Sequence, residues 1–495
     1  MIQNFPYDGN LFDVKPHCRR KEIRQYRQGR RFVFQAPAKG EIELIGGKGH
    51  VRRFSYRADI ESLAGLSRLP LHIRIRDWTH LAFSLHMADR LAPRICVLDH
   101  HGDGTWARDI NLTIGVRDLS FWNRPDVQTA LVNALSFLTG DIWTIHFGQI
   151  SLGDFSEVRQ LRIVPKDGIP EFGGAALFSG GLDSFAGTAH YGQTGSQPLM
   201  LIGGASSSRM EAGQKRQFSA FESQWPSKFY GVQIPYRFED KRDYDKHDIT
   251  QRSRGFLHTS LGLIACHLSG IKTLSIFENG IGVINLPMDA SQVGQQASRP
   301  VNPVFLDQME HLAEMITDQP IKFSLPYLLH TKAELLRLIK SGPVLHAIPE
   351  TFSCDHFPDY HEGAPQCGTC TSCILRQMAL EHSGIGNELD NQTYANRFED
   401  IALWNSEKRL GFWKMDEFCT KLEKMLSSEN PAKEFFTQYP MLKLIRPILA
   451  KSEKCTPEEF THGIARLLHV HCHEWRNFTG TQAFQLFLNK RNKAA

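Results

Sequence analysis

Apolar positions in the middle of the chain come in short unbroken runs, and longer amphipathic stretches separate them. The runs AALF (175–178), PLMLIGG (198–204), FYGVQIPY (229–236), KTLSIFE (272–278) and IKFSLPY (321–327) read as strands. Between them, EAGQKRQFSAFESQW (211–225), RGFLHTSLGLIACHLSG (254–270) and the region around QMEHLAEMI (308–316) have helical spacing. Strands that alternate with helices imply a parallel sheet with crossover helices, so residues 172–390 are expected to form a doubly wound α/β domain.

The pattern differs on either side. In residues 1–165, HIRIRDW (72–78) and RDINLTIGV (108–116) alternate and predict strands. DVQTALVNALSFLTG (126–140) predicts a helix with Val127, Leu131, Leu135 and Leu138 on one face and Gly140 at its end, and DIWTIHFGQI (141–150) predicts another strand. This is an α+β region, joined to the middle by the Pro/Gly-rich VPKDGIPEFGG (164–174). Residues 391–495 read as mostly helical, with aromatics on their apolar faces.

Three regions suit a chain of 495 residues, and 41% hydrophobic with 22% charged residues is globular composition. No run of about 18 uncharged apolar residues occurs, so no membrane span is expected. The start MIQNFPYDGNLF has no secretory pattern, which points to the cytoplasm and to reduced thiols. A net charge of +4 does not argue for a nucleic-acid coat. The run KPHCRRKEIRQYRQGRR (15–31) is strongly basic, either a solvated segment or a docking strip for nucleic acid or an acidic partner. His100 and His101 fall in a loop, DHHGDG, as exposed turn residues or a metal site.

The chemistry concentrates in ALFSGGLDSFAG (176–187), where a strand breaks into S-G-G-x-D-S and then a helix. Gly180 and Gly181 let the backbone close around phosphate oxygens at a helix N-terminus, and Ser179 and Ser184 offer hydroxyls. Asp183 would repel phosphate unless a cation lay between them, which suggests Mg²⁺. The loop lacks the Lys of a Walker motif, so it suits gripping pyrophosphate while the α-phosphate stays open to attack. That is adenylation chemistry. The segment resembles the signature of the PP-loop ATP pyrophosphatase family, which implies a HUP-like doubly wound fold. It also implies an ATP site at Phe178, Ser179, Gly180, Gly181, Leu182, Asp183, Ser184 and Phe185. LHTKAELLRLI (329–339) resembles the second family motif, with Lys332 approaching the nucleotide; Thr331 and Glu334 also read as an ordinary helix cap. Asp183, Ser184 and Lys332 are the expected catalytic residues.

Cys354, Cys367, Cys370 and Cys373 form C-x12-C-x2-C-x2-C, a ligand set for structural Zn²⁺; an iron–sulfur cluster would use the same residues. The glycine loop, the T-K-x-E helix and T-x-S-C…C-G-x-C-x-x-C-x-x-R, in that order, resemble the 7-cyano-7-deazaguanine synthase family, QueC, over roughly residues 175–385. The resemblance implies ATP-driven activation of a 7-carboxy-7-deazaguanine carboxylate. Arg252 and Arg254 resemble the family's basic helix entry and would pair with phosphate or a carboxylate; they also read as surface arginines at a helix start. Glu278 and Asn279, in FENGIGVINLP, read as readers of a purine-like edge or as turn residues.

The added regions make the chain longer than that synthase. With ADRLAPR, FWNRP and FLTGDIW it resembles the long QueC-like proteins of bacterial anti-phage defence operons, of the Qat and type IV CBASS kinds. That resemblance implies a ligase that passes the activated carboxylate to the N-terminal amine of a partner protein encoded in the same operon. The other readings are a nitrile synthase using ammonia, a tRNA-modifying sulfurtransferase and a nucleotide-binding scaffold without turnover.

Overall fold

The computed structural model describes residues 31–480, apart from 38–39, 47–49, 61–62, 64, 67–71, 94–106, 151–169, 239–251, 289–298, 358–362, 387, 391–392 and 453–454. The basic run at 15–31 therefore lies outside the described residues except for Arg31, and the two histidines at 100–101 lie outside entirely.

The expected parallel strands form. They are β6 (Gly174–Leu177), β7 (Leu199–Ala205), β8 (Phe229–Phe238), β9 (Thr273–Ile276) and β10 (Lys322–Ser324), in the order β8-β7-β6-β9-β10 and all parallel. This is the mixed α/β, mostly parallel architecture of a doubly wound sheet. The chain starts at the centre with β6, builds one way to β8, then returns to add β9 on the other side. The carboxyl ends of β6 and β9 thus flank the topological switch point, where open α/β sheets bind ligands.

The strands of the first region continue the same sheet. β1 (Arg31–Ala36), β2 (Glu41–Ile45), β3 (Val51–Ala58), β4 (Asp109–Val116) and β5 (Ile142–Gln149) extend it in the order β3-β2-β1-β4-β5. The join is antiparallel, with Tyr56, Arg57 and Ala58 of β3 opposite Phe238, Arg237 and Tyr236 of β8. The result is one ten-stranded sheet.

One expectation of local structure fails. HIRIRDW does not form a strand but opens a helix, α1 (Ile73–Leu91). Its two alternating isoleucines begin a 19-residue segment, far beyond ordinary strand length. Leu81, Ala82, Phe83, Leu85 and Ala88 then bury it on all sides, and such a helix shows no clean stripe. The other crossings follow expectation: α2 (Pro125–Thr139), α3 (Leu182–Thr194), α4 (Ser208–Gln224), α5 (Arg254–Ser269) and α6 (Pro303–Thr317). Gly140 and Gly270 end α2 and α5 in the left-handed conformation, with φ of 71° and 73°. Trp78 of α1 lies fully buried against α5 and donates from its indole Nε1 to Ser260 Oγ at 3.1 Å.

Three more helices matter for the site: α7 (Lys332–Arg337), α8 (Thr371–Ser383) and, in the helical C-terminal region, α10 (Pro457–Thr479), which packs on α9 (Leu410–Leu426). Among the described residues no helix is long and apolar enough to cross a membrane.

Candidate nucleotide site and four-cysteine centre

The loop Phe178–Gly181 runs from β6 into α3. Gly181 is the N-cap of α3, and no side chain caps that end. The first helical bond runs from the Phe185 amide to the Gly181 carbonyl, so the amides of Leu182, Asp183 and Ser184 have no partner within the helix. Three open amides and the positive end of a 13-residue helix suit an anion.

The serines close the loop on itself. The Gly181 amide donates to Ser179 Oγ at 3.1 Å, and Ser184 Oγ donates to the Gly181 carbonyl at 2.9 Å. Ser184 has then used its proton, so Ser179 Oγ is the donor in the 3.2 Å contact between the two hydroxyls.

The loop's carbonyls, which would repel phosphate, are tied elsewhere. Gln214 Nε2 donates to the carbonyls of Phe178 and Ser179, both at 3.2 Å. The Gly180 carbonyl accepts from Gln217 Nε2 and from the Phe352 amide, each at 3.1 Å. Gly180 has φ of 83°, and a Cβ there would lie 2.8 Å from the Phe352 ring, so only glycine fits. Gln214 and Gln217 are fully buried. Their signal in the sequence is faint: two glutamines three apart on the inner face of a helix.

Asp183 gathers the remaining groups. Its Oδ1 accepts from Asn279 Nδ2 at 3.1 Å, and its Oδ2 is ion-paired with Lys332 Nζ. Asn279 follows β9, and the same Nδ2 donates to Glu278 Oε1 at 2.7 Å. The loops after β6 and β9 and the start of α7 thus meet across the switch point, bringing Asp183, Ser184, Lys332, Glu278 and Asn279 together. Gly280 makes this closeness possible, because a Cβ there would collide with the Leu328 carbonyl. Burial, and next the charge of Asp183, push the Glu278 carboxyl up to about 8. Lys332 supplies a cation beside Asp183 from 149 residues away, where the loop itself has none.

Arg252 and Arg254 lie elsewhere, past the end of β8. Arg252 Nη1 donates to the Thr139 carbonyl at 3.2 Å, at the end of α2, and Arg254 opens α5 exposed to solvent. Between them, Ser253 donates from its amide and its hydroxyl to Asp89 of α1, at 2.9 and 2.6 Å.

The sulfur atoms of Cys354, Cys367, Cys370 and Cys373 all lie within 4.8 Å of one another. Four thiolates about 2.3 Å from one tetrahedral ion would sit about 3.8 Å apart, and Cys367 Sγ is 4.0 Å from Cys373 Sγ. The amide of Cys370 points to Cys367 Sγ at 3.3 Å and that of Cys367 to Cys354 Sγ at 3.5 Å, as bonds to a thiolate would. The set can hold a metal such as zinc, and with four protein ligands it would be structural.

The centre is built into the nucleotide loop. Arg376 of α8 is fully buried and donates from Nε to Asp390 Oδ2 at 2.6 Å and from Nη2 to Asp390 Oδ1 at 2.8 Å. Its Nη1 reaches Thr351 Oγ1 at 2.6 Å and Ser353 Oγ at 3.3 Å. This accounts for the T-x-S-C…R spacing: the arginine three residues past the last cysteine holds the two hydroxyls before the first. Phe352, between those hydroxyls, bonds to Gly180.

The family model for queuosine biosynthesis protein QueC matches residues 290–384, which include Lys332 and all four cysteines. A 7-cyano-7-deazaguanine synthase from Thermoplasma acidophilum is 23% identical over 238 residues, covering 45% of this chain and 94% of that protein. Both matches support a QueC-like chain of the PP-loop superfamily.

Proposed function

We propose that this chain is an ATP-dependent, AMP- and pyrophosphate-forming ligase. It activates the carboxylate of a 7-carboxy-7-deazaguanine-like acid and passes the acyl group to an amine. The observation that carries this reading is the uncapped start of α3, with three open amides and the loop's own carbonyls tied behind it. It suits the two outer phosphates of ATP. The similarity to a deazaguanine synthase supports the class of acid.

In the first step a carboxylate oxygen attacks the α-phosphorus, and the bond to pyrophosphate breaks. The amides of Leu182, Asp183 and Ser184 stabilise the charge growing on the leaving group. Lys332, held on Asp183, puts positive charge at the same edge. Asp183 would hold Mg²⁺ at the edge of the loop, where the ion would neutralise charge on the phosphates. In the second step an amine attacks the acyl carbon, AMP leaves, and the nitrogen gives up a proton.

The preferred acceptor is the N-terminal amine of a partner protein, in the setting of anti-phage defence. An α-amine has a pKa near 8, so part of it is neutral and nucleophilic at pH 7. The test is incubation with ATP and 7-carboxy-7-deazaguanine, with and without neighbouring operon products. Release of pyrophosphate and AMP that requires the acid, together with a partner whose intact mass rises by the acyl group, is the expected result. Nitrile formed from ammonia, with no change in partner mass, would replace the ligase by a synthase. Pyrophosphate release indifferent to the acid would remove the substrate from the proposal.

A further inference from the structure

The helical C-terminal region reaches the nucleotide site. Helix α10 crosses behind the start of α7, the element that carries Lys332. Thr331 is the N-cap of α7 and forms a capping box with Glu334: its Oγ1 accepts from the Glu334 amide at 3.1 Å, and its amide donates to Glu334 Oε2 at 2.9 Å. The Thr331 hydroxyl proton goes to Glu474 Oε1 of α10, at 2.9 Å. Glu474 is 2% exposed, and its Oε1 also accepts from Arg337 Nη2 at 3.3 Å. About two turns earlier on the same helix, Arg466 of α10 donates to Glu334 Oε1 at 2.7 Å and to the Leu329 carbonyl. Leu467 packs over Gly280, the glycine that lets the loops after β9 and β10 touch.

We propose that Glu474 is a positioning residue for Lys332: by accepting from Thr331 it fixes the start of α7, so that Lys332 meets Asp183 at the nucleotide. The C-terminal helix thereby supports the ATP site from behind α7. Burying a carboxyl requires compensation, and here Thr331 provides it, while the Oε2 atom has no partner among the described residues. Burial also pushes this carboxyl up to about 7, so a neutral side chain of the same shape suits the site. The hydrogen bond to Thr331, rather than full charge, is what the geometry uses.

This inference rests on the reading of the loop as an ATP site, and the experiment separates the two. ATP affinity is measured by calorimetry, without any acid substrate, for the full chain and for Glu474→Gln and Glu474→Leu. Glutamine keeps an acceptor for Thr331 and should bind ATP within about threefold of the parent. Leucine removes the acceptor and should weaken binding about tenfold or more, because small displacements of a charged group at a reacting centre are costly. A purely structural role would make both variants fail in proportion to their melting temperatures. If Glu474→Leu does not fold, Thr331→Ser against Thr331→Ala asks the same question from the other side of the bond. A folded Glu474→Leu or Thr331→Ala protein with parental affinity overturns the inference. So does Glu474→Gln that is as weak as Glu474→Leu. A parent chain that binds no ATP overturns the site reading itself.

Discussion

Asp183 and Lys332 form the tightest link in the site, and each depends on the other for burial. Removing one leaves the other charged and largely buried without its ion-pair partner. Lys332→Ala should lower acid-dependent pyrophosphate release by about 10²-fold or more while the chain stays folded, checked by a coupled pyrophosphate assay and by circular dichroism. Glu278 makes a separate prediction. Its carboxyl titrates near 8 in the folded chain, against an ordinary 4.5. The native state therefore keeps a proton that the unfolded chain has released. Its contribution to stability is complete below about pH 4.5 and is lost as the pH rises through 8. Glu278→Gln cannot ionise, so its melting temperature should fall less than the parent's between pH 5 and 9. Glu474, raised to about 7, leaves a smaller slope of the same sign in the variant. Equal slopes in the two proteins would refute the burial argument. The sequence names Asp183 and Lys332 through their motifs, but the ion pair between residues 149 apart is not visible in it.

At the scale of elements, the segment from Thr351 to Cys354 links two sites that the sequence lists separately. Cys354 belongs to the four-thiol centre, and Phe352 bonds to Gly180 and closes over it. Loss of the metal should therefore be felt at the nucleotide. Cys370→Ser, or treatment with a strong chelator, should release about one zinc per chain and lower the melting temperature. ATP affinity should fall with it. Metal analysis, thermal denaturation and calorimetry on one preparation would show this. Unchanged ATP affinity in a folded, metal-free chain would uncouple the centres. The α1 segment teaches the opposite lesson. Its first residues alternate like a strand, and only its packing on β4 and α5 makes it a helix. Alternation over four residues fits either structure when the element is buried on all sides.

For the whole molecule, the decisive feature is the pairing of β3 with β8. It joins what reads as an α+β region and a neighbouring α/β domain into one sheet of ten strands. It also covers β8, which would otherwise be the exposed edge of the parallel set. Residues 172–390 produced alone should therefore aggregate, since they expose that edge and the face of α5 that α1 covers. The longer chain 31–480 should remain dispersed, and size-exclusion chromatography distinguishes the two. Trp78→Ala should destabilise the full chain by about 3–5 kcal/mol, since it empties a fully buried site and strands Ser260, as measured by urea denaturation.

The sequence by itself determined the parallel α/β core, the glycine loop and its uncapped helix, and the four thiols. Each is a local matter: period of apolar positions, lack of side chains at two glycines, ligand type at fixed spacing. Only the tertiary structure decided what these parts meet. Lys332 reaches Asp183 because the segment after β10 packs against the loop after β9, beside the switch point that the loop after β6 also flanks. Gln214, Gln217 and Phe352 hold the loop's carbonyls because α4 and the cysteine segment pack over it. Glu474 meets the Thr331 hydroxyl because the C-terminal helix packs against the start of α7. Hydrogen bonds and ion pairs between distant segments leave no period in the chain, since they depend on where whole elements come to rest.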